Sequence, residues 1–113
     1  MPRIRGLPKK YKISETRFRE LYYFCLQYND WVKGRERYPK GSRERQEYTD
    51  KIHMVETACE ASCEDLAPYI KEAVTKRGVT YQTLQARMNI PCSSNTYYKY
   101  RRKFYWIMDS LKE

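Results

Sequence analysis

Residues 79–111, VTYQTLQARMNIPCSSNTYYKYRRKFYWIMDSL, leave this chain little choice of architecture. Thr80 is a good N-cap for a short helix over 81–88, with Leu84 and Met88 turned inward. Asn89-Ile90-Pro91-Cys92 forms a tight turn, where Asn tolerates left-handed backbone. Ser93 or Ser94 then caps a longer helix over 95–111. On a wheel at about 100° per residue, Tyr97, Tyr100, Phe104, Ile107, Met108 and Leu111 cluster on one side. Asn95, Tyr98, Lys99 and Arg102 cluster on the other, with Arg101 and Lys103 at its flanks. No segment of the chain sustains period-two alternation, so the expected class is all-α with no sheet.

The rest of the chain reads the same way. Ser14 caps a helix over 15–33 whose inward stripe is Phe18, Leu21, Tyr22, Cys25, Asn29 and Val32, with Phe24, Tyr28 and Trp31 widening the apolar side. Gly34 to Gly41 (GRERYPKG) is a loop bounded by Gly and broken by Pro. Ser42 caps a second helix to about residue 60, lined by Tyr48, Ile52, Val55 and Cys59. A third helix, 66–77, tolerates Pro68 in its first turn and presents Leu66, Tyr69, Ile70, Ala73 and Val74; Gly78 closes it. Five helices result: 15–33, 43–60, 66–77, 81–88 and 95–111. They organise as a basic extended arm (1–13), an N-terminal helical segment (14–63) and a three-helix unit (64–113). At 113 residues these are expected to form one compact domain.

Charge narrows the class of partner. Lys plus Arg number 23 and Asp plus Glu 14, a net charge of +9, which suits a polyanion. The surplus sits at the two ends. Residues 1–20 hold Arg3, Arg5, Lys9, Lys10, Lys12, Arg17 and Arg19 against Glu15 and Glu20, and the end of the chain holds Lys99, Arg101, Arg102, Lys103 and Lys112. The middle, 34–65, carries six bases against eight acids. The 12 tyrosines suit surfaces half buried and half in contact with a partner.

A short helix, a turn and a basic aromatic helix is the layout of a helix-turn-helix, whose second helix enters the DNA major groove. Asn pairs with adenine, and Arg or Lys with guanine, so Asn95, Tyr98, Lys99 and Arg102 are the expected base-facing residues. Arg101, Lys103, Ser93, Ser94 and the start of the preceding helix (Thr80, Tyr81, Gln82) are expected to face phosphates. The arm bases Arg3, Arg5, Lys9, Lys10 and Lys12 would add charge along a groove or backbone. Trp106 falls on the polar side of the wheel, where a Trp more often packs against another segment than touches DNA.

These residues also carry a resemblance. Residues 65–113 resemble the sigma-factor region-4-like helix-turn-helix of small phage and prophage regulators of Gram-positive bacteria, the ArpU/RinA-type late-gene transcriptional regulators. LAPYIKEAV (66–74), VTYQTL (79–84), NIPCS (89–93) and TYYKYRRKFYWIMD (96–109) carry it. RFRELYYFCLQYNDW (17–31) is similar to the start of uncharacterised phage proteins of this type. The resemblance implies a DNA-binding role in phage gene control, within the cytoplasm of a bacterial host. Gln85 stands where a small residue is usual, Asn89 where a turn glycine is usual, and the turn is about two residues longer than the minimal motif.

Other chemistries have weaker footing. His53, Cys59, Cys63 and Cys92 could be written as a zinc site, but there is no CxxC knuckle and His53 lies about 100° off the Cys59 stripe. No metal, no cofactor and no enzymatic activity are expected: there is one His, no Gly-rich phosphate loop and no nucleophile elbow. No stretch approaches a membrane span and no signal-peptide pattern opens the chain, so reduced cysteines in an intracellular setting are expected. Two rival readings remain beside double-stranded DNA binding. One is a phage-encoded inhibitor or adaptor gripping a host nucleoprotein, such as a CRISPR effector nuclease (an anti-CRISPR role) or RNA polymerase. The other is a small-terminase-like DNA-packaging subunit. Monomer and homodimer are both open.

Overall fold

The computed structural model describes residues 11–112. Among them the chain forms six α-helices and no strand: α1 (Glu15–Cys25), α2 (Tyr28–Arg35), α3 (Arg43–Ser62), α4 (Ala67–Thr75), α5 (Tyr81–Met88) and α6 (Ser94–Leu111). A 3₁₀ turn, Glu64–Leu66, leads into α4. The fold is all-α, and all five expected helical stretches are present. Ser14, Ser42, Thr80 and Ser93 each accept a hydrogen bond from the backbone amide three residues on. Each such cap contributes about 1 kcal/mol by satisfying an amide that the helix leaves unpaired.

The first expected helix is divided. After Cys25 the Gln27 amide reaches back to the Phe24 carbonyl at 3.2 Å, a tight three-residue step, and helical bonding resumes with Trp31 N–H to Gln27 O at 3.0 Å. The tighter step rotates everything downstream. Tyr28 and Trp31, expected to widen the apolar side, are buried together with Gly34, whereas Asn29, expected on the inner stripe, is exposed and Val32 is half-buried. Gly34, expected to open the loop, ends α2 instead. A Cβ there would lie 3.1 Å from the Tyr48 ring, so any larger residue would have to push that ring aside by a few tenths of an ångström. Arg45 closes the following turn by donating to the Tyr38 carbonyl (3.0 Å) and the Arg35 carbonyl (3.3 Å).

The central strut is α3, 20 residues long, with α2 and α6 packed along it and α4 across its end. On the opposite flank α1 lies against α6 and α4. Leu21, Val55, Ile70, Val74, Phe104 and Met108 are all fully buried, so segments 14–63 and 64–113 share one core. The inner face of α6 is turned a little from its expected position. Tyr105 is buried, Tyr100 and Ile107 are half-buried, and Leu111 is 44% exposed.

Two polar ties hold helices from different parts of the chain. Tyr28 of α2 donates to Glu56 of α3 at 2.5 Å, and the Lys71 ammonium of α4 lies 3.5 Å from the same carboxylate and 4.9 Å from the Tyr28 ring. Arg17 of α1 clasps the end of α6: its Nε donates to Asp109 at 2.6 Å, and the guanidinium also reaches the Asp109 and Lys112 carbonyls. The Asp109 hydrogen bond raises the Arg17 pKa further above its ordinary value.

Burial fixes the protonation of several core groups. It pushes the Tyr97 phenol up to about 12, with Arg101 opposing, and the Cys59 thiol up to about 12. Tyr105 and Cys25 are pushed the same way by burial. A neutral group held in the fold adds stability that is intact below its unfolded pKa, about 8.5 for Cys and 10 for Tyr, and is lost as pH climbs toward the folded value. The melting temperature should therefore fall steadily between pH 8 and pH 11. A melting temperature that holds to pH 11 would show that these groups ionise in place without penalty.

Candidate nucleic-acid interface

α6 carries the candidate interface. Its inner face (Tyr97, Phe104, Tyr105, Met108) is buried, which turns Asn95, Tyr98, Lys99 and Arg102 outward; all four are exposed. They share its first three turns, next to the amides that the helix start leaves unpaired. Lys99, Arg101, Arg102 and Lys103 make no ion pair with any described residue. Asp109, on the same helix, is already neutralised by Arg17. The outer face of α6 thus presents positive charge that no carboxylate of the described fold compensates.

The flanking cations differ. The Lys103 ammonium sits 5.9 Å from the Tyr100 ring, and the Lys99 ammonium lies 5.3 Å from the same ring. Arg101 does not flank the exposed row as expected. Its guanidinium lies over Tyr105 (5.6 Å) and Phe18 (6.0 Å), at the seam between α6 and α1. Adjacent helix positions point about 100° apart, and burial of Tyr105 pulls Arg101 toward the core edge.

The turn 89–93 sets where α6 begins. Asn89 takes the left-handed conformation (φ 55°, ψ 49°) that ends α5. Ile90 is buried beneath it, and Leu84 anchors α5. Tyr81, expected to face phosphate, has another role: its hydroxyl donates to the Cys92 carbonyl at 2.5 Å and its ring lies 6.0 Å from Tyr97. It ties α5 to the start of α6 and is a positioning residue. The Thr80 and Ser93 hydroxyls are similarly engaged as caps, with partners Thr83 and Thr96. Gln82 and Ser94 remain exposed beside them.

Of the arm bases, Lys12 is exposed; Arg3, Arg5, Lys9 and Lys10 lie outside the described residues. The arm reaches the fold at Tyr11, whose ring packs on Trp106 at 5.1 Å with Lys103 over it at 5.9 Å. Trp106 accordingly packs against another segment of the chain. The contact sets Tyr11 on the same face of α6 that carries Lys99 and Arg102, downstream of them.

The cysteines and His53 do not assemble. Cys59 is buried in α3, His53 is exposed on it, and no group of three metal-ligating side chains converges among the described residues. Among the same residues no helix is long and apolar enough to cross a membrane. Compared with known protein families, curated proteins and solved structures, the chain finds no match.

Proposed function

We propose that this chain binds double-stranded DNA by laying the first turns of α6 in the major groove, as a phage or prophage transcriptional regulator would. The supporting observation is the exposed row Asn95, Tyr98, Lys99 and Arg102 on a helix whose cations have no carboxylate partner in the described fold. Asn95 and Arg102 offer the forked donors that read adenine and guanine edges. Lys99, Lys103, Lys12 and the first amides of α6 supply phosphate contacts. Tyr81, Asn89 and Leu84 set the angle at which α6 is presented. The regulatory setting rests on the resemblance of residues 65–113 to sigma-region-4-like helix-turn-helix regulators.

Selection of random-sequence duplexes by the purified protein tests the reading, and an enriched motif is the expected result. Arg102→Ala should cost about 1–3 kcal/mol and relax preference at one base pair. Lys103→Ala should weaken all duplexes alike. If the two variants behave identically, Arg102 does not read a base.

One observation favours a protein partner, the alternative in which the chain is an inhibitor or adaptor. Tyr23, on α1 and away from α6, is 54% exposed with the Arg77 guanidinium 5.6 Å from its ring. Exposed Tyr and Arg are enriched in protein interfaces. Weak, motif-free duplex binding beside tight binding to a host nucleoprotein would select that reading.

A further inference from the structure

A depression of about 420 Å³ lies between α2 and α3, lined by Asp30, Lys33, Arg37, Tyr48 and Lys51, with Trp31 in its floor. Three cations and one carboxylate leave it with a surplus of two positive charges. Lys33, Arg37 and Lys51 make no ion pair with any described residue. The carbonyl end of α2 favours a base at Lys33. It gives no reason for Lys51, which comes from α3 and lies over the Trp31 ring at 5.8 Å. Gly34 lets the Tyr48 ring close one wall, its hydroxyl 3.3 Å from where a Cβ would stand. That hydroxyl has no hydrogen-bond partner among the described residues and is a further donor at the rim.

The depression is remote from the exposed row of α6. The Lys112 ammonium at the end of α6 lies over Phe24 at 4.7 Å, and Phe24 packs on Trp31 at 4.8 Å. The depression therefore neighbours the C-terminal end of α6, where Lys112 stands roughly 26 Å along the helix axis from Asn95. A groove contact at Asn95 does not account for it.

We infer that this depression is a second anion site, built to take a phosphate group. A phosphate monoester carries about −1.5 to −2 charges at neutral pH, which matches the surplus, and a backbone phosphodiester, with about −1, falls within it. Lys33 and Lys51 supply point charges from facing helices, the planar Arg37 fork grips two oxygens, and Tyr48 donates a fourth hydrogen bond. The phosphate can come from a free phosphate or nucleotide, or from the backbone of a nucleic-acid segment other than the one at α6. The site stands whether or not α6 binds DNA.

The test follows the Trp31 indole N–H by NMR in the full-length protein. Inorganic phosphate and adenosine monophosphate form one arm. The other is a short duplex added to protein whose α6 row is disabled by Lys99→Ala and Arg102→Ala. A saturable shift with the small anions identifies a free phosphate as ligand; a shift with the duplex alone identifies backbone phosphate. In either case Lys51→Gln and Arg37→Gln should each weaken binding about tenfold. Both positions are exposed, so unchanged melting temperatures are expected and will separate lost binding from lost folding. No shift in either arm, or equal binding by wild type and Lys51→Gln, overturns the proposal.

Discussion

Raising the salt from 50 to 200 mM is expected to weaken duplex binding by about 10³ to 10⁵, as six to ten phosphate contacts require. Each neutralised phosphate releases condensed counterions, and added salt opposes that release. The cations are available. Lys99, Arg102 and Lys103 lie on or beside the outer face of α6, and Lys12 is exposed near the Tyr11–Trp106 contact. Arg3, Arg5, Lys9 and Lys10 precede it in the sequence. Arg101, turned onto Phe18 and Tyr105, should contribute less than its neighbours. Fluorescence anisotropy of a labelled duplex over a salt series gives the slope directly. Replacing Lys103 should lower it by about one and replacing Arg101 by less. A slope near zero would remove the electrostatic basis of DNA binding by this face.

Phe104→Ala is expected to destabilise the fold by about 3–5 kcal/mol. Phe104 is fully buried on α6, facing the α3 side of the core, and packs edge-on to Tyr105 at 4.9 Å. The loss combines the transfer energy of the ring with the void left among rigid neighbours. Small domains are stable by about 5–15 kcal/mol, so much of the variant would unfold near its working temperature. Leu111→Ala is the informative control. The helical wheel puts it on the same face, yet it is 44% exposed, and its removal should change stability by less than about 0.5 kcal/mol. Urea denaturation followed by circular dichroism measures both. Equal losses at the two positions would mean that α6 is rotated from the orientation described.

These two predictions mark where local reasoning succeeds and where it stops. The caps at Ser14, Ser42, Thr80 and Ser93 were legible because a cap is a bond within one turn. The outward placing of Asn95, Tyr98, Lys99 and Arg102 was legible because α6 runs unbroken from Ser94. The division of the first helix was not, since nothing in Cys25-Leu26-Gln27-Tyr28 is a breaker. A single three-residue bond there moves Tyr28 and Trp31 from the margin of the apolar side to its centre and leaves Asn29 exposed and Val32 half-buried. Tyr105 was missed because it lies about 100° round the wheel from Phe104, off the inward stripe, and its hydroxyl is buried with no hydrogen-bond partner among the described residues. The cations at the α2–α3 depression were hidden by arithmetic. A count over 34–65 averages Arg37 and Lys51 against the acids of α3 and leaves out Lys33, whereas folding brings the three to one depression.

The clasp of Arg17 on Asp109 joins positions 92 residues apart. Its consequence falls on a chain still being synthesised. Leu21, Val55 and Ile70 emerge early, but α6 supplies Tyr97, Phe104, Tyr105 and Met108 to the core they form. At about 5–20 residues per second, making the 18 residues of α6 takes roughly 1–4 s. Until then the apolar sides of α1, α3 and α4 have no cover from α6, and Arg17 has no partner at its far end. Closure of this core is therefore tied to the completion of α6, and a ribosome stalled within it would hold an open, adhesive intermediate.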